Sequence, residues 1–328
     1  KPGLRLPAMF DGAVAGTYRG MFIQGEDVAQ SDPNTRHVTA ALEALDCLVV
    51  QDLFLNETSA FAHVFLPGTS FLEKDGTFTN AERRISRVRP AMAEKCGKAE
   101  WEVAVDLSRA MGFDPGFSSS AQIMDEIARL TPSFAGVSHA RLDREGSMQW
   151  PVTEKAPNGT PVMHREGFVR GKGLFVITDF VPTRERTSRR FPLILTTGRI
   201  LTQYNVGAQT RRTKNNRWHE QDVLEISAAD AQQRGIQHGD MVAIRSRMGE
   251  TSLRAVISDR MVPGVVYTTF HHPLSGTNVI TTDNGDWATS CPEYKVTAVE
   301  VKLTNHLSDW QREHDRRQPP KVLNEPAE

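Results

Sequence analysis

Cysteine is scarce in this chain. Its 328 residues hold three, Cys47, Cys96 and Cys291, widely spaced and with no Cys-x-x-Cys among them. That pattern argues against a disulfide scaffold, a zinc site or an iron–sulfur cluster within the chain. Long apolar runs are missing too. None approaches the ~18 residues that a membrane-spanning helix needs. Neither sign of charge is in excess, with Lys+Arg 39 against Asp+Glu 40 and a formal net charge of −1. The electrostatic case for a nucleic acid or an anionic membrane as partner is therefore absent. There is no internal repeat, no initiator Met and no signal peptide. Lys1-Pro2-Gly3 opens without a lead-in, so the chain reads as a piece of a longer protein in a reducing, cytoplasmic setting. Its length and its 39% hydrophobic content suit a globular protein of two domains.

The first half reads as α/β. Met21-Phe22-Ile23 is a short strand that runs out at Gln24-Gly25-Glu26. Ser31 or Asp32 N-caps a helix with Pro33 at its first position, and Val38, Leu42 and Leu45 recur at helical spacing. Cys47 to Val50 is a buried-strand run ending at Gln51-Asp52. A short helix and a strand from His63 to Leu66 follow. Such a succession predicts a parallel sheet with right-handed crossovers, whose ligands sit outside the carboxyl ends of the strands. Gly25, Glu26, Gln51 and Asp52 all fall there. A helix over 101–111 presents Val103, Leu107 and Ala110. Another, starting after Ser119 or Ser120, presents Ile123, Ile127 and Leu130. Residues 131–190, rich in Pro, Gly and charge, read as loops and short hairpins.

From Phe191 the pattern turns all-β. Six strands are expected, over 192–197, 223–226, 241–246, 252–257, 265–270 and 295–301, with one helix over 228–234 closed by Gly235. Six short strands suggest a small barrel. The polar tail after Asn305 reads as a surface arm or a partner contact. The domain limits expected are 1–135, 136–190 for connecting loops, 191–304 for the barrel and 305–328 for the tail.

Two distant segments crowd polar groups onto loops just past apolar runs. One is Thr197-Gly198-Arg199 with Gln203-Tyr204-Asn205. The other runs from Tyr267 through Phe270 and Asn278 to Tyr294-Lys295. Arg, Gln, Asn, Tyr and Lys side chains hydrogen-bond a large, anionic, nitrogen-rich ligand. No nucleophile–base pair stands beside them, so no catalytic residue and no metal ligand is assigned. Adjacent His271 and His272 on a strand would face opposite ways, which favours packing over a shared metal. Arg211, Arg212, Lys214 and Arg217 form either a solvated patch or an attractor of small anions. Cys291 reads as a free packed thiol.

These segments resemble the C-terminal third to half of molybdenum-dependent formate dehydrogenases of the dimethyl-sulfoxide-reductase group. The run Glu73-Lys74-Asp75-Gly76-Thr77-Phe78-Thr79-Asn80-Ala81-Glu82-Arg83-Arg84 is a specific signature of that group. Gly25-Glu26-Asp27, Val49-Val50-Gln51-Asp52 and Ala62 to Pro67 look like its middle α/β region. Tyr267 to Pro273 and Leu307 to Gln311 look most like the large subunit of the soluble, NAD-linked type. The resemblance implies a parallel-sheet Rossmann-like domain followed by a double-psi β-barrel, and a bis(molybdopterin guanine dinucleotide) cofactor with molybdenum. It places Gly25 and Glu26 along one dinucleotide, Asp52 and Glu100 on guanine N–H groups, and Gln51 and Lys74 near phosphate or guanine. Arg199 and Gln203, within 197–206, become the principal barrel contacts, completed by Phe270, Asn278, Tyr294 and Lys295. The family usually has Asp where Glu100 stands. The implied reaction is oxidation of formate to carbon dioxide. Its electrons leave through iron–sulfur clusters, carried elsewhere in the subunit, to flavin-bearing NADH-dehydrogenase-like partners and NAD. A nitrate reductase of the same group, and a scaffold subunit without molybdenum, are the alternatives. Retained Asp52, Lys74, Arg199, Gln203, Asn278 and Lys295 argue against the scaffold.

Overall fold

Strand β1 (Gly20–Gln24) buries alternate residues, Met21 and Ile23, as a one-sided strand must. In the computed structural model, which describes residues 2–95, 97–168 and 170–317, this strand opens a small α/β layer. Helix α1 (Leu6–Val14) precedes it, and α2 (Val28–Ser31) and α3 (Thr35–Glu43) follow. Strands β2 (Cys47–Asp52) and β3 (Val64–Pro67) complete a parallel sheet in the order β1-β2-β3. Phe10, Ile23, Val38, Leu42, Leu48 and Val50 form its core. The short helix before β3 is a single 3-10 stretch, Thr58–Phe61.

The expected helix start was two residues early. Ser31 ends α2, and Asp32 caps that helix in an extended conformation, which is what a residue preceding proline prefers. The chain turns again at Asn34 (φ 53) before α3 begins. Leu45 lies beyond the helix yet stays buried.

Two compact units divide the chain. One comprises 1–50, 54–65 and 181–328, the other 51–53 and 66–180. The second unit holds a hairpin of β4 (Gly76–Thr79) and β5 (Arg84–Val88), joined by the two-residue β6 (Met148–Gln149) in the antiparallel order β4-β5-β6. Helices α4 (Glu100–Ala110), α5 (Ser120–Leu130) and α6 (His139–Glu145) belong to the same unit, and Met124 of α5 and Leu142 of α6 share a core with Ile85 of β5. Ser119 and Ser138 cap α5 and α6, each hydroxyl oxygen accepting a backbone N–H in the first turn. The expected apolar faces are displaced. Val105 is the buried residue of α4, while Leu107 is exposed. Met124 is that of α5, while Ile127 and Leu130 are exposed. Helix α6 stands where only loops and hairpins were expected.

The barrel matches expectation closely. Its strands are β7 (Leu193–Gly198), β8 (Val223–Ile226), β9 (Met241–Arg245), β10 (Glu250–Ile257), β11 (Val265–Thr269) and β12 (Thr297–Leu303), with α7 (Ala228–Gln233) after β8 and α8 (Thr277–Ile280) before β12. They close in the order β10-β8-β11-β7-β12-β9. Leu195, Leu224, Ile226, Ile244, Ala255 and Val266 fill the interior. The last strand begins at Thr297 rather than at 295, so Tyr294 and Lys295 sit on the loop leading into it. Helix α9 (Asp309–Arg317) occupies the start of the polar tail. Lys1, Cys96 and the tail past 317, with Pro319-Pro320, lie outside the described residues. Among the described residues no helix is long and apolar enough to cross a membrane.

Candidate functional site

Parallel pairing of β7 with β11 places Gly198 opposite Thr269. The two strands therefore release their next residues, Arg199 and Phe270, at the same rim of the barrel. The Arg199 guanidinium lies 5.2 Å from the Phe270 ring centre, and its Nε donates to Asn205 Oδ1 at 2.8 Å. Asn205 takes a left-handed backbone (φ 46), a conformation Asn tolerates better than most residues. Gly198 is required by space. A Cβ there would come within 2.6 Å of the Tyr267 hydroxyl oxygen, which donates to Arg199 O.

The loop before β12 is strapped to the same rim. The Thr197 hydroxyl donates to Tyr294 O at 2.9 Å, and Lys295 Nζ donates to Thr197 O at 2.5 Å. Gln203 is buried, its Oε1 accepting from the Thr210 hydroxyl. The Tyr204 side chain is exposed; its backbone N–H donates to the Thr210 hydroxyl oxygen and its carbonyl accepts from Gly207 N–H. Asn278 is fully used by the fold. Both of its amide bonds go to backbone carbonyls, Gln30 O and Ser31 O, and Thr281 donates to its Oδ1.

Charge at this rim is unbalanced. Neither Arg199 nor Lys295 has a carboxylate partner among the described residues. Burial and then the nearby Arg199 push the Lys295 ammonium below its ordinary value. Tyr294 is held un-ionised, first by burial and then by the carboxylates of Asp32 and Glu26. Gly25 (φ 66) lets the chain turn at the end of β1. Burial lifts Asp32 to about 6, with Glu26 adding to the lift. Two cations short of an acid, next to a ring and a set of amide and hydroxyl groups, suit a phosphate-bearing aromatic ligand.

A second cluster sits in the other unit. Asp52 closes β2, its carboxylate accepting from Leu53 N and its carbonyl from Gly68 N. Gln51 beside it is buried. Lys74 pairs with Glu100 at 2.5 Å, at the first turn of α4. Gly68 lies between the two carboxylate residues, for a Cβ there would meet Glu100 Oε1 at 3.3 Å and the Asp52 backbone at 3.4 Å. The sequence placed Lys74 near phosphate; the structure gives it an acid partner. Two carboxylates about a glycine gap can accept N–H groups of a purine.

Other expectations resolve differently. Arg212 stacks 4.3 Å from the Phe54 ring and donates to Leu55 O. Arg211 is desolvated enough to lower its pKa, whereas Arg212, Lys214 and Arg217 are exposed, so most of the basic run is solvated and Arg211 alone turns inward. Cys291 is free but exposed rather than packed. His271 and His272 follow β11 rather than lying on it, and each ring makes a polar contact with loop backbone, His271 with Ile200 and Asn205 and His272 with His219 O. Sequence reading did not find Gln30, whose Nε2 donates to Val206 O and Phe270 O. Nor did it find Asp222, which accepts from Thr269, His271 and His272. A lone Asp before a buried strand gives no signal for such a hub. A cavity of about 610 Å³ opens in the first unit, lined among others by Gln30, Arg36, Phe270, His272, Asn278 and Trp310.

Residues 193–298 match the family described as Molydopterin dinucleotide binding domain, and residues 1–110 the family described as Molybdopterin oxidoreductase. The F420-dependent formate dehydrogenase 2 subunit alpha of Methanococcus maripaludis is 38% identical over 288 residues, covering 86% of this chain and 42% of that protein. The F420-dependent formate dehydrogenase subunit alpha of Methanocaldococcus jannaschii is 36% identical over 307 residues, covering 92% and 45%. The chain thus spans less than half the length of these relatives. Among solved structures, the acetylene hydratase from Pelobacter acetylenicus superposes with a TM-score of 0.70 over 91% of this chain and 46% of that one, at 13% identity. That likeness bears on the fold alone.

Proposed function

The chain carries a molybdopterin oxidoreductase domain and a molybdopterin dinucleotide binding domain, and on that premise we propose that it holds the cofactor of an enzyme oxidising formate to carbon dioxide. The observation that carries this reading is the pair of cations at one barrel rim, Arg199 and Lys295, neither of which forms an ion pair with a carboxylate among the described residues. A pyrophosphate supplies the missing charge. The α/β layer is then the Rossmann-like part and the barrel the double-psi part, with limits at 135 and 191.

Each residue has a share in the binding. Arg199 and Lys295 hold phosphate, with Thr197, Gly198, Gln203, Tyr204 and Asn205 shaping their loop. Phe270 supports the Arg199 guanidinium. Asn278 acts by anchoring α2, which brings Gly25 and Glu26 to the same dinucleotide. Tyr294 remains a neutral hydroxyl donor. Asp52 and Glu100 accept guanine N–H groups, with Gln51 beside them and Lys74 steering Glu100. When bound, the molybdenum cofactor supplies the two-electron redox chemistry. Formate gives up two electrons and a proton as carbon dioxide leaves.

The remaining parts of such an enzyme belong to the rest of the assembly. These are the metal ligand, the iron–sulfur clusters and a partner subunit that meets the acceptor, in a cytoplasmic complex. The relatives are named for F420, whereas the resemblance in Tyr267 to Pro273 implies NAD. The deciding experiment is metal and nucleotide analysis of the native assembly, followed by formate assays with each acceptor. Molybdenum with two guanine nucleotides per metal, and formate-dependent reduction of either acceptor, is the expected result. An intact assembly without molybdenum or guanine nucleotide overturns the reading in favour of a scaffold.

A further inference from the structure

We propose that His271 is a positioning residue that clamps both ends of the loop from Arg199 to Asn205, and so fixes the guanidinium of Arg199 for the dinucleotide; the last clause rests on the function proposed above. His271 is fully buried. Its ring meets the loop twice. Nε2 faces the Ile200 N–H at 3.2 Å, and Nδ1 faces the Asn205 carbonyl oxygen. Only one tautomer serves both contacts: Nδ1 carries the proton and donates, and Nε2 accepts. The loop it spans is the one whose Asn205 side chain accepts from Arg199 Nε. One imidazole thus ties residues 200 and 205 of this seven-residue loop together and sets its functional cation.

The ring is itself held in place. Its backbone N–H donates to Asp222 Oδ1 at 3.2 Å. It stacks on Phe270 with 5.5 Å between centres and 28° between planes, and Phe270 also contacts Arg199. The charged and titratable groups around the ring are Asp222 and His219 from the segment before β8 and around it, and Arg199 from the loop. Burial first, and then the nearby Arg199 guanidinium, favour the neutral ring, against the Asn205 carbonyl and Asp222. Protonation would place an N–H at Nε2 against the Ile200 N–H, two donors with no acceptor between them. The clamp therefore opens on the acid side and is closed on the alkaline side.

The test uses the native assembly with His271→Ala and His271→Gln. Gln offers one donor and one acceptor and does not titrate. Hydrogen–deuterium exchange of residues 199–206 is read first, since it needs no cofactor. His271→Ala is expected to speed exchange there by roughly tenfold, the loss of about one ordinary hydrogen bond, and to lower guanine nucleotide content several-fold. His271→Gln should keep both near the wild-type values. The wild type should loosen as pH falls below the ordinary imidazole value of 6.5, and His271→Gln should not. Unchanged exchange in His271→Ala, or His271→Gln as loose as His271→Ala, overturns the clamp. If His271→Ala does not accumulate, the pH dependence of exchange in His271→Gln against wild type decides alone. A wild type with a pH-sensitive loop but no guanine nucleotide would keep the clamp and sink the proposed function.

Discussion

Lys295 carries an ammonium that both burial and Arg199 disfavour; the phosphate of the proposed cofactor would relieve it. Replacing it by Met keeps most of the stem and removes the charge. Lys295→Met should lower molybdenum and guanine nucleotide content roughly tenfold, the scale of a charge-assisted hydrogen bond, with the melting temperature of the cofactor-free protein little changed. Wild-type content in the variant would remove Lys295 from the site. Asp32 gives a pH signature. Its carboxyl is lifted from 3.8 to about 6, chiefly by burial. Between those values the folded chain binds more protons than the unfolded one, so this group's contribution to stability is full below 3.8 and is lost as pH rises through about 6. Asp32→Asn can still accept from the Ser31 hydroxyl. Its stability relative to wild type should rise by roughly 3 kcal/mol across that window, at about 1.4 kcal/mol per pKa unit, in urea titrations of the cofactor-free protein. A difference that stays flat with pH would mean that Asp32 is not desolvated.

Asn278 sits on a short helix, α8, that the sequence pattern did not announce. Sequence put it on a cofactor-facing loop; the structure adds that its amide holds the carbonyls of α2. Asn278→Ala should cost about 1–3 kcal/mol, the desolvation of acceptors left unpaired. Asn278→Asp should cost more, because a carboxylate cannot donate to Gln30 O or Ser31 O and meets both with like charge. Chemical denaturation compares the two, and an Asp variant milder than the Ala variant would contradict the assigned bonds. The barrel strands were legible for a simple reason: Leu193, Leu195, Leu224, Ile226, Val242 and Ile244 are buried and lie in short apolar runs. The hairpin β4–β5 was not, since Phe78 is exposed and Ile85 alone is buried. Helix α9 escaped because it is anchored by a polar residue. The Gln311 carboxamide accepts from Ser252 N and donates to Ser252 O and Leu274 O, and no apolar stripe marks it. At the site, cation positions were readable from residue type at strand ends, whereas the hub residues Gln30, Asp222 and His271 act through backbone contacts that leave no periodic trace.

On the scale of the whole chain, the compact units do not follow sequence order. The first contains both the N-terminal α/β layer and the barrel, and the chain leaves it for 66–180 and returns. Within that unit the two parts are tied by Gln30 to Val206 and Phe270, by Asn278 to α2, by Arg212 to Leu55 and by the His314–Glu57 ion pair. The return path, 173–181, lies outside any helix or strand, and Phe175, Ile177 and Phe180 are 98%, 98% and 89% exposed. An exposed stretch outside helix and strand is what a protease takes first. Brief chymotrypsin treatment should cut at Phe175 or Phe180 before any site in the barrel. The cut separates the α/β layer from the barrel in covalent terms only, because their shared contacts remain. Both fragments should therefore elute together in size-exclusion chromatography under native conditions and part only in denaturant. Fragments that separate without denaturant would mean that the ties through Gln30 and Asn278 are too weak to make one unit, and the assignment of Gly25 and Glu26 to the same ligand as Arg199 would fall with them.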